Sequence, residues 1–327
     1  MRSSNYELCR ICCMFLIVLL HTTYASFGWP DNSNINYLVI VFSSMSIFGV
    51  DVFILLTGYF SVKFKKQSFM NLLFICFFSG GVNLIIRLLS YQDLSINNLF
   101  FISQSSWYIP MYIGLLIISP ILNRYIDNSE KQELLYVIML ILAYNVYFEF
   151  FPHKGVNAPG FHSGLSLIWF MVAYLVGRYL KLYGLPNWIS KHSLICCVLS
   201  IICIAFSQIL IYKVAHPELI PYFLGQNNPL VLFAAISFIT CFSKLNIQSV
   251  KINYFAQSTL SVLLIHNSTA VMPLTSNFFI ALYSSETNMF LKILIWFMLV
   301  TAIYIICVLI DQIRIIIFNR LIKPIII

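Results

Sequence analysis

Charge is what this sequence lacks most. Only 9% of its 327 residues are Asp, Glu, Lys or Arg, where soluble domains carry roughly a quarter. That scarcity excludes a water-facing surface, so a soluble globular domain cannot be built from this chain. It also excludes nucleic acid as a partner: the formal net charge is +8, but no soluble basic domain is there to present it. No cysteine falls in a stretch expected to face an oxidising outside, which excludes structural disulfides. Cys9-x-x-Cys12 has the look of half a zinc motif, yet no second pair or nearby His completes it, so no metal site is expected. All nine cysteines read as small apolar fillers. No internal repeat is visible, which weighs against an inverted-repeat transporter, and no low-complexity stretch occurs.

What is present is apolar. Hydrophobic residues make up 60% and aromatic ones 16%, and the mean hydropathy is +0.89. A hydrocarbon core of about 30 Å takes around 20 apolar residues per helix. Ten stretches qualify, near 8–28, 36–60, 68–90, 101–122, 134–151, 164–181, 193–213, 229–243, 254–273 and 289–311. The expected fold is all-α, a polytopic membrane bundle of about ten transmembrane helices with both termini cytoplasmic. The whole chain, 1–327, is expected to form a single transmembrane domain. The start, Met1 to Phe27, could pass for a signal peptide, but His21 inside it and the lack of a clean A-x-A site predict a retained first helix.

The connections orient this bundle. With the N-terminus inside, the cytoplasmic segments hold Arg2, Arg10, Lys63, Lys65, Lys66, Arg124, Lys131, Arg178, Lys181, Lys191, Lys244, Lys251, Arg314, Arg320 and Lys323. Only Arg87, Lys154, Lys213 and Lys292 are left outside. Fifteen against four is a strong positive-inside asymmetry, and an odd helix count would scramble it. The outside loops are then Gly28–Ile35, Tyr91–Phe100, Pro152–Ser163, Val214–Asn228 and Leu274–Asn288, whose Pro, Gly and Asn content predicts irregular structure.

Ionisable side chains inside a membrane are expensive, and function is the default reason for them. Here the deep ones are His21, Asp51 and His266, with Arg10 at the cytoplasmic edge of the first helix. Arg10 and His21 are eleven residues apart, which at 100° per residue is three turns plus about 20°. They share one helix face, His21 about 16 Å deeper. Such a stripe suits an elongated anionic ligand whose charged end stays at the water boundary. Asp51 lies eight residues before Tyr59 on the returning helix, about 12 Å deep and near the level of His21. A carboxylate there can orient His21 and stabilise its protonated form, or simply tie two helices together. Lys63, Lys65 and Lys66 form a basic hairpin that reads as a positive-inside anchor or as a phosphate clamp close to Arg10. His153, His162, His192 and His216 fall in loops, and Arg178 and Asp311 lie at cytoplasmic ends from which they can snorkel to water.

Four stretches together carry a family resemblance. Arg10, ten residues and then His21 form the first. Gly49-Val50-Asp51-Val52-Phe53-Ile54-Leu55-Leu56-Thr57-Gly58-Tyr59 is the second. Ser106-Trp107-Tyr108-Ile109-Pro110-Met111-Tyr112, followed by Ser119-Pro120, is the third, and Ser261-Val262-Leu263-Leu264-Ile265-His266 the fourth. In order and spacing they resemble the acyltransferase 3 family of integral membrane O-acyltransferases, over essentially the whole chain. Thr57 stands where that family usually has Ser, Leu263 where it usually has Tyr, and Lys63-x-x-Lys66 where it has an Arg-x-x-Arg pair. Lysine holds phosphate as a point charge without the bidentate fork.

The resemblance implies transfer of an acyl group, most often acetyl, from cytoplasmic acyl-CoA to a hydroxyl of a surface glycan or its lipid-linked precursor on the outer side. Acyl-CoA would then be the donor substrate, with no separate cofactor, and membrane lipids the surroundings of a multi-pass protein of the cell membrane. Arg10, Lys63 and Lys66 would bind the donor. His21 would be general base or acyl carrier, with Asp51 orienting it, and Trp107, Tyr112 and His266 would wall the acceptor cavity. The bundle would act as a stand-alone enzyme. Two other classes compete. A flippase for lipid-linked sugars would line its lumen with many charges, and a glycan polymerase would need a large outside loop. No loop here exceeds about 15 residues.

Overall fold

The computed structural model describes residues 3–29, 36–93, 107–150, 164–214 and 219–322, and every regular element among them is helical. In chain order these are α1 (Ser4–His21), α2 (Tyr24–Phe27), α3 (Tyr37–Ser46), α4 (Gly49–Tyr59), α5 (Lys66–Leu89), α6 (Tyr108–Asn128), α7 (Lys131–Phe150) and α8 (Leu167–Tyr183). There follow α9 (Asn187–Lys191), α10 (Ser193–Lys213), α11 (Ile220–Phe223), α12 (Pro229–Ser243), α13 (Val250–Phe255), α14 (Thr259–His266), α15 (Val271–Ser284) and α16 (Met289–Ile317). Among the described residues six stretches are long and apolar enough to cross a membrane: Ser4–Phe27, Tyr37–Tyr59, Lys66–Leu89, Tyr108–Asn128, Ser193–Lys213 and Met289–Leu321. Pro229–Ser243 and Val271–Ser284 are apolar but shorter. Outer helices turn large apolar side chains outward; α10 alone exposes Leu194, Ile195, Val198, Leu199, Ile202 and Phe206, the surface that lipid tails accept.

With no water in a bilayer core, every freed backbone group must find an internal partner, and the helix ends show how. At the end of α1 the hydroxyls of Thr22 and Thr23 donate back to the carbonyls of Leu19 and Leu20 at 2.7 and 2.6 Å. Thr22 Oγ1 in turn accepts from the buried indole of Trp296 on α16 at 2.8 Å, which braces the residue next to His21. In α6, Pro120 has no N–H to give the carbonyl four residues back. Ser119 Oγ donates to that carbonyl, Leu116 O, at 2.8 Å instead. The second span is interrupted at Ile47–Phe48 between α3 and α4. Just before the interruption, Ser43, Ser44 and Ser46 all bond back to carbonyls of their own helix, a habit that bends helices.

Two close approaches fix α4. A Cβ added at Gly49 would lie 3.0 Å from Ile17 Cγ1 and 3.2 Å from the Cys13 carbonyl oxygen, so this face of α4 rests on α1. A Cβ at Gly58 would lie 2.0 Å from the carbonyl oxygen of Tyr174, and one at Gly177 would lie 2.0 Å from that of Leu55. The two glycines are reciprocal notches through which α4 and α8 bring their backbones together, as small residues do in membranes.

Several expectations change. Of the fourth span expected at 101–122, residues 101–106 lie outside the described residues, and the helix runs Tyr108–Asn128, past the expected end. The ninth does not run on to 273. It breaks into α13, a 3-10 turn at Ala256–Ser258, and α14, which stops at His266. The stop is made by Asn83 of α5, whose buried Oδ1 accepts from Ala270 N at 3.1 Å, and by Ser268 Oγ, which accepts from Val271 N at 3.3 Å. The outside loop expected over Leu274–Asn288 is largely α15. Its Pro273 sits in the first turn, where a missing N–H costs nothing. His192 is exposed; His153, His162 and His216 lie outside the described residues.

Candidate active site

The stripe predicted on α1 lines a cavity only in part: Arg10 stands in its wall, while His21 and, on α14, His266 lie beyond the lining. Glu7, Arg10, Met14 and Ile17 follow one another at steps of three and four, and form one wall of a space of about 330 Å³. Val50, Phe53 and Thr57 of α4 form the next wall, Tyr108 and Tyr112 of α6 another. The last comprises Ala256 and Gln257 with Thr259, Leu260 and Leu263 of α14. His21 stands one turn beyond Ile17 on the same face, and His266 one turn beyond Leu263 (Thr259, Leu263, His266 being another three–four stripe).

These two imidazoles meet. His21 Nδ1 and His266 Nε2 are 2.8 Å apart, with ring centroids at 5.0 Å and 44° between the planes. His266 is buried, whereas His21 keeps part of its surface accessible. With both imidazoles neutral, the hydrogen-bond network allows one placement of the protons. His266 Nδ1 lies 2.5 Å from the Val262 carbonyl oxygen, which can only accept, so Nδ1 carries the proton. The Nε2 of neutral His266 is then a lone pair and accepts from His21 Nδ1–H. Among the described residues His21 Nε2 has no hydrogen-bond partner, and it then carries a lone pair, the form a base or nucleophile needs.

Asp51 is bonded to Trp169 of α8 and not to His21, the partner expected for it. Its Oδ1 accepts from the Trp169 indole of α8 at 2.8 Å, its Oδ2 is without a hydrogen-bond partner, and the residue is fully buried. The reason is azimuth. Gly49 faces α1, and Asp51, two residues on, is turned about 200° away. It therefore joins Leu55 and Gly58 on the face that meets α8, while Val50, Phe53 and Thr57 face the cavity. Its position in the first turn of α4 suits a carboxylate, since the N-terminal end of a helix favours negative charge.

At the other end of the cavity Arg10 is paired. Its Nη1 lies 2.6 Å from Glu7 Oε1, and the guanidinium sits 5.6 Å over the Phe60 ring. Glu7 is buried and was not singled out from the sequence, although i,i+3 spacing from a basic residue is a readable signal. Lys63 and Lys65 line a neighbouring cavity of about 210 Å³. It shares Tyr112 and Leu260 with the first. Lys66 is exposed at the start of α5. Tyr112 lines both cavities, at the Arg10–Lys63 end, and is stacked on Tyr108 at 5.8 Å and 12°. Trp107 packs edge-on against Tyr108 and Phe170, each at 6.0 Å, beside the cavity and outside its lining. Asp311 does not snorkel: it is fully buried and holds Arg314 through two bonds, 2.5 and 2.9 Å.

A family model described as an acyltransferase domain matches residues 4–312, a span that takes in Arg10, His21, Asp51 and His266. The chain belongs to the acyltransferase 3 family. A search of curated proteins and a search of solved structures each returned no match. As a member of this family the protein is a membrane acyltransferase that moves acyl groups other than aminoacyl groups. The cavity running from Arg10 towards the paired imidazoles gives that activity a candidate seat.

Proposed function

We propose that this acyltransferase moves an acyl group, in the first instance acetyl, from cytoplasmic acyl-CoA to a hydroxyl of an extracytoplasmic surface glycan or its lipid-linked precursor. The observation that carries the reading is one face of α1, whose Arg10, Met14 and Ile17 line a cavity and whose next turn carries His21. A cation stands at one end of that face, and apolar Met14 and Ile17 lead up it to an imidazole whose Nε2 carries a lone pair. Arg10 and Lys63 hold the phosphorylated end of the donor, and the uncharged pantetheine arm passes Met14 and Ile17. The acceptor hydroxyl gives its proton to His21 Nε2 as its oxygen attacks the thioester carbonyl. The C–S bond then breaks, and the departing thiolate takes that proton from His21 to leave as free CoA thiol. His266 steadies the His21 imidazolium through the Nδ1–H bond. Asp51 serves as a positioning residue that locks α4 to α8 through Trp169.

The bundle is further inferred to cross the membrane ten times with both ends in the cytoplasm, on the fifteen-to-four charge asymmetry of its connections. In that orientation Arg10 faces the compartment that holds acyl-CoA. Membrane lipids surround the chain, the donor is its only small-molecule co-substrate, and neither a metal nor nucleic acid takes part. The deciding test is purified protein in liposomes given radiolabelled acetyl-CoA and the cell's glycan precursors. Label should reach the glycan with the wild type and not with His21→Ala. Glycan labelled equally by both would overturn the catalytic reading, and glycan export lost with acylation intact would favour a flippase.

A further inference from the structure

A second polar cavity adjoins the first, and nothing in the mechanism above uses it. It measures about 280 Å³ and lies between the first turns of α5 and the end of α16, where Gln67, Ser68, Asn71, Gln257, Arg314 and Asn319 provide its polar lining. Gln257 also lines the Arg10 cavity, and Ser68 and Asn71 also line the Lys63 cavity. The three spaces therefore share walls pairwise.

Its charged member is built in. Arg314 is 3% exposed and Asp311 0%. Taking both ions of a pair out of water is rarely repaid in stability compared with apolar side chains of the same volume, so the pair calls for another reason. The hydrogen-bond account of the guanidinium suggests one. Of its five N–H groups, Nε–H and one on Nη2 go to Asp311 and one on Nη1 goes to Asn71 Oδ1 at 3.3 Å. Among the described residues the other two have no partner, on a side chain that lines the cavity. Because Asp311 neutralises the charge, the site favours a polar, uncharged group over a bare phosphate. Four carboxamides around it, Gln67, Asn71, Gln257 and Asn319, each carry both a donor and an acceptor, the complement of a purine edge. Phe318 in the same wall is buried against Phe74 at 5.6 Å and closes the apolar side of the cavity.

We propose that this cavity binds the adenosine end of the acyl donor. The phosphates would then face Lys63 and Lys65 in the adjoining space, while the pantetheine arm passes Gln257 into the Arg10 cavity. The proposal rests on the reading that the donor is acyl-CoA. It moves donor recognition from the basic hairpin alone to a pocket whose nearest sequence signal is the Asp311–Arg314 spacing.

The test compares two donors with the same thioester and arm, acetyl-CoA and acetyl-pantetheine, on the detergent-purified full chain carrying Gln67→Leu or Asn319→Leu. Both positions are exposed, so these variants should fold, and unchanged kinetics with acetyl-pantetheine report that they have. KM for acetyl-CoA should rise about tenfold with kcat kept, and competitive inhibition by adenosine 3′,5′-bisphosphate should weaken by the same factor. A wild type that uses acetyl-CoA, with variants whose KM for it is unmoved, overturns the proposal and leaves the proposed function standing. A wild type that binds neither CoA nor the bisphosphate overturns both.

Discussion

Replacing His266 by alanine removes the acceptor that holds the Nδ1–H of His21, and its cost can be worked from the geometry. In the intact pair the 2.8 Å bond keeps the proton on Nδ1 and the lone pair on Nε2. When Nε2 takes the acceptor's proton the bond becomes charge-assisted, and such bonds contribute about 1.5–3 kcal/mol. At about 1.36 kcal/mol per decade, kcat should fall roughly ten- to 150-fold, with KM for the donor little changed because Arg10 and Lys63 are untouched. His266→Gln should recover part of the loss, since its amide oxygen can accept from Nδ1–H. Asp51→Asn should stay within a few-fold of wild type, because an amide oxygen can still accept from Trp169 Nε1. The assay is initial-rate transfer from radiolabelled acetyl-CoA in liposomes at saturating donor, with protein quantified by size exclusion. If Asp51→Asn removed activity by orders of magnitude while both His266 variants kept it, the imidazole pair would not be the orienting device and the carboxylate would be.

Three further outcomes follow from the packing and the charges. Gly177→Val should cut the yield of monodisperse protein and its thermal midpoint in detergent, since a Cβ there would lie 2.0 Å from the Leu55 carbonyl oxygen and α4 would have to move away from α8. Glu7→Gln should lower KM for acyl-CoA in steady-state assays, because it keeps a hydrogen bond to Arg10 but removes the carboxylate that repels the donor's phosphates. Glu7→Ala should raise that KM by letting the guanidinium swing free. Lys63→Ala should raise KM for the donor more than Lys66→Ala, since Lys63 lines a cavity wall and Lys66 is exposed at the helix start.

The α1 stripe was legible because it needs only the helical repeat: Arg10 and His21 face one way in any straight helix, and the cavity follows them as far as Ile17. Depth was legible too, and it brought Asp51 to the level of His21. Depth does not fix azimuth, however. The contact of Gly49 with α1 turns Asp51 towards α8, and nothing in the local sequence announces Trp169 as its partner. His266 was readable as a deep ionisable group, but its partner lies 245 residues away in the chain, and a single sequence carries no pairing information over that distance. α15 was hidden for a local reason. Its Pro, Ser, Thr and Asn residues resemble a loop, while the one residue that would break a helix interior, Pro273, falls in the first turn. Asp311 and Arg314 looked like helix-end charges, and only packing against α5 through Asn71 shows them to be enclosed.

The distribution of charge through the molecule follows the cost of carrying it. Where charges are buried towards the proposed cytoplasmic side they come as neutral i,i+3 pairs, Glu7–Arg10 and Asp311–Arg314. Deeper lie the two imidazoles, bonded to each other, and the Asp51 carboxyl, bonded to the Trp169 indole. A donor with the same gradient fits this order. On the proposed reading its phosphates would meet lysines and a paired arginine at the mouth, and its amide-linked arm would meet Met14 and Ile17. Its uncharged thioester would reach the depth of His21, and the transferred proton would return to the departing sulfur. A buried carboxylate does lie at the level of His21, but Asp51 accepts from the Trp169 indole of α8. The contact to His21 Nδ1 is made instead by a second imidazole, itself bonded to a backbone carbonyl.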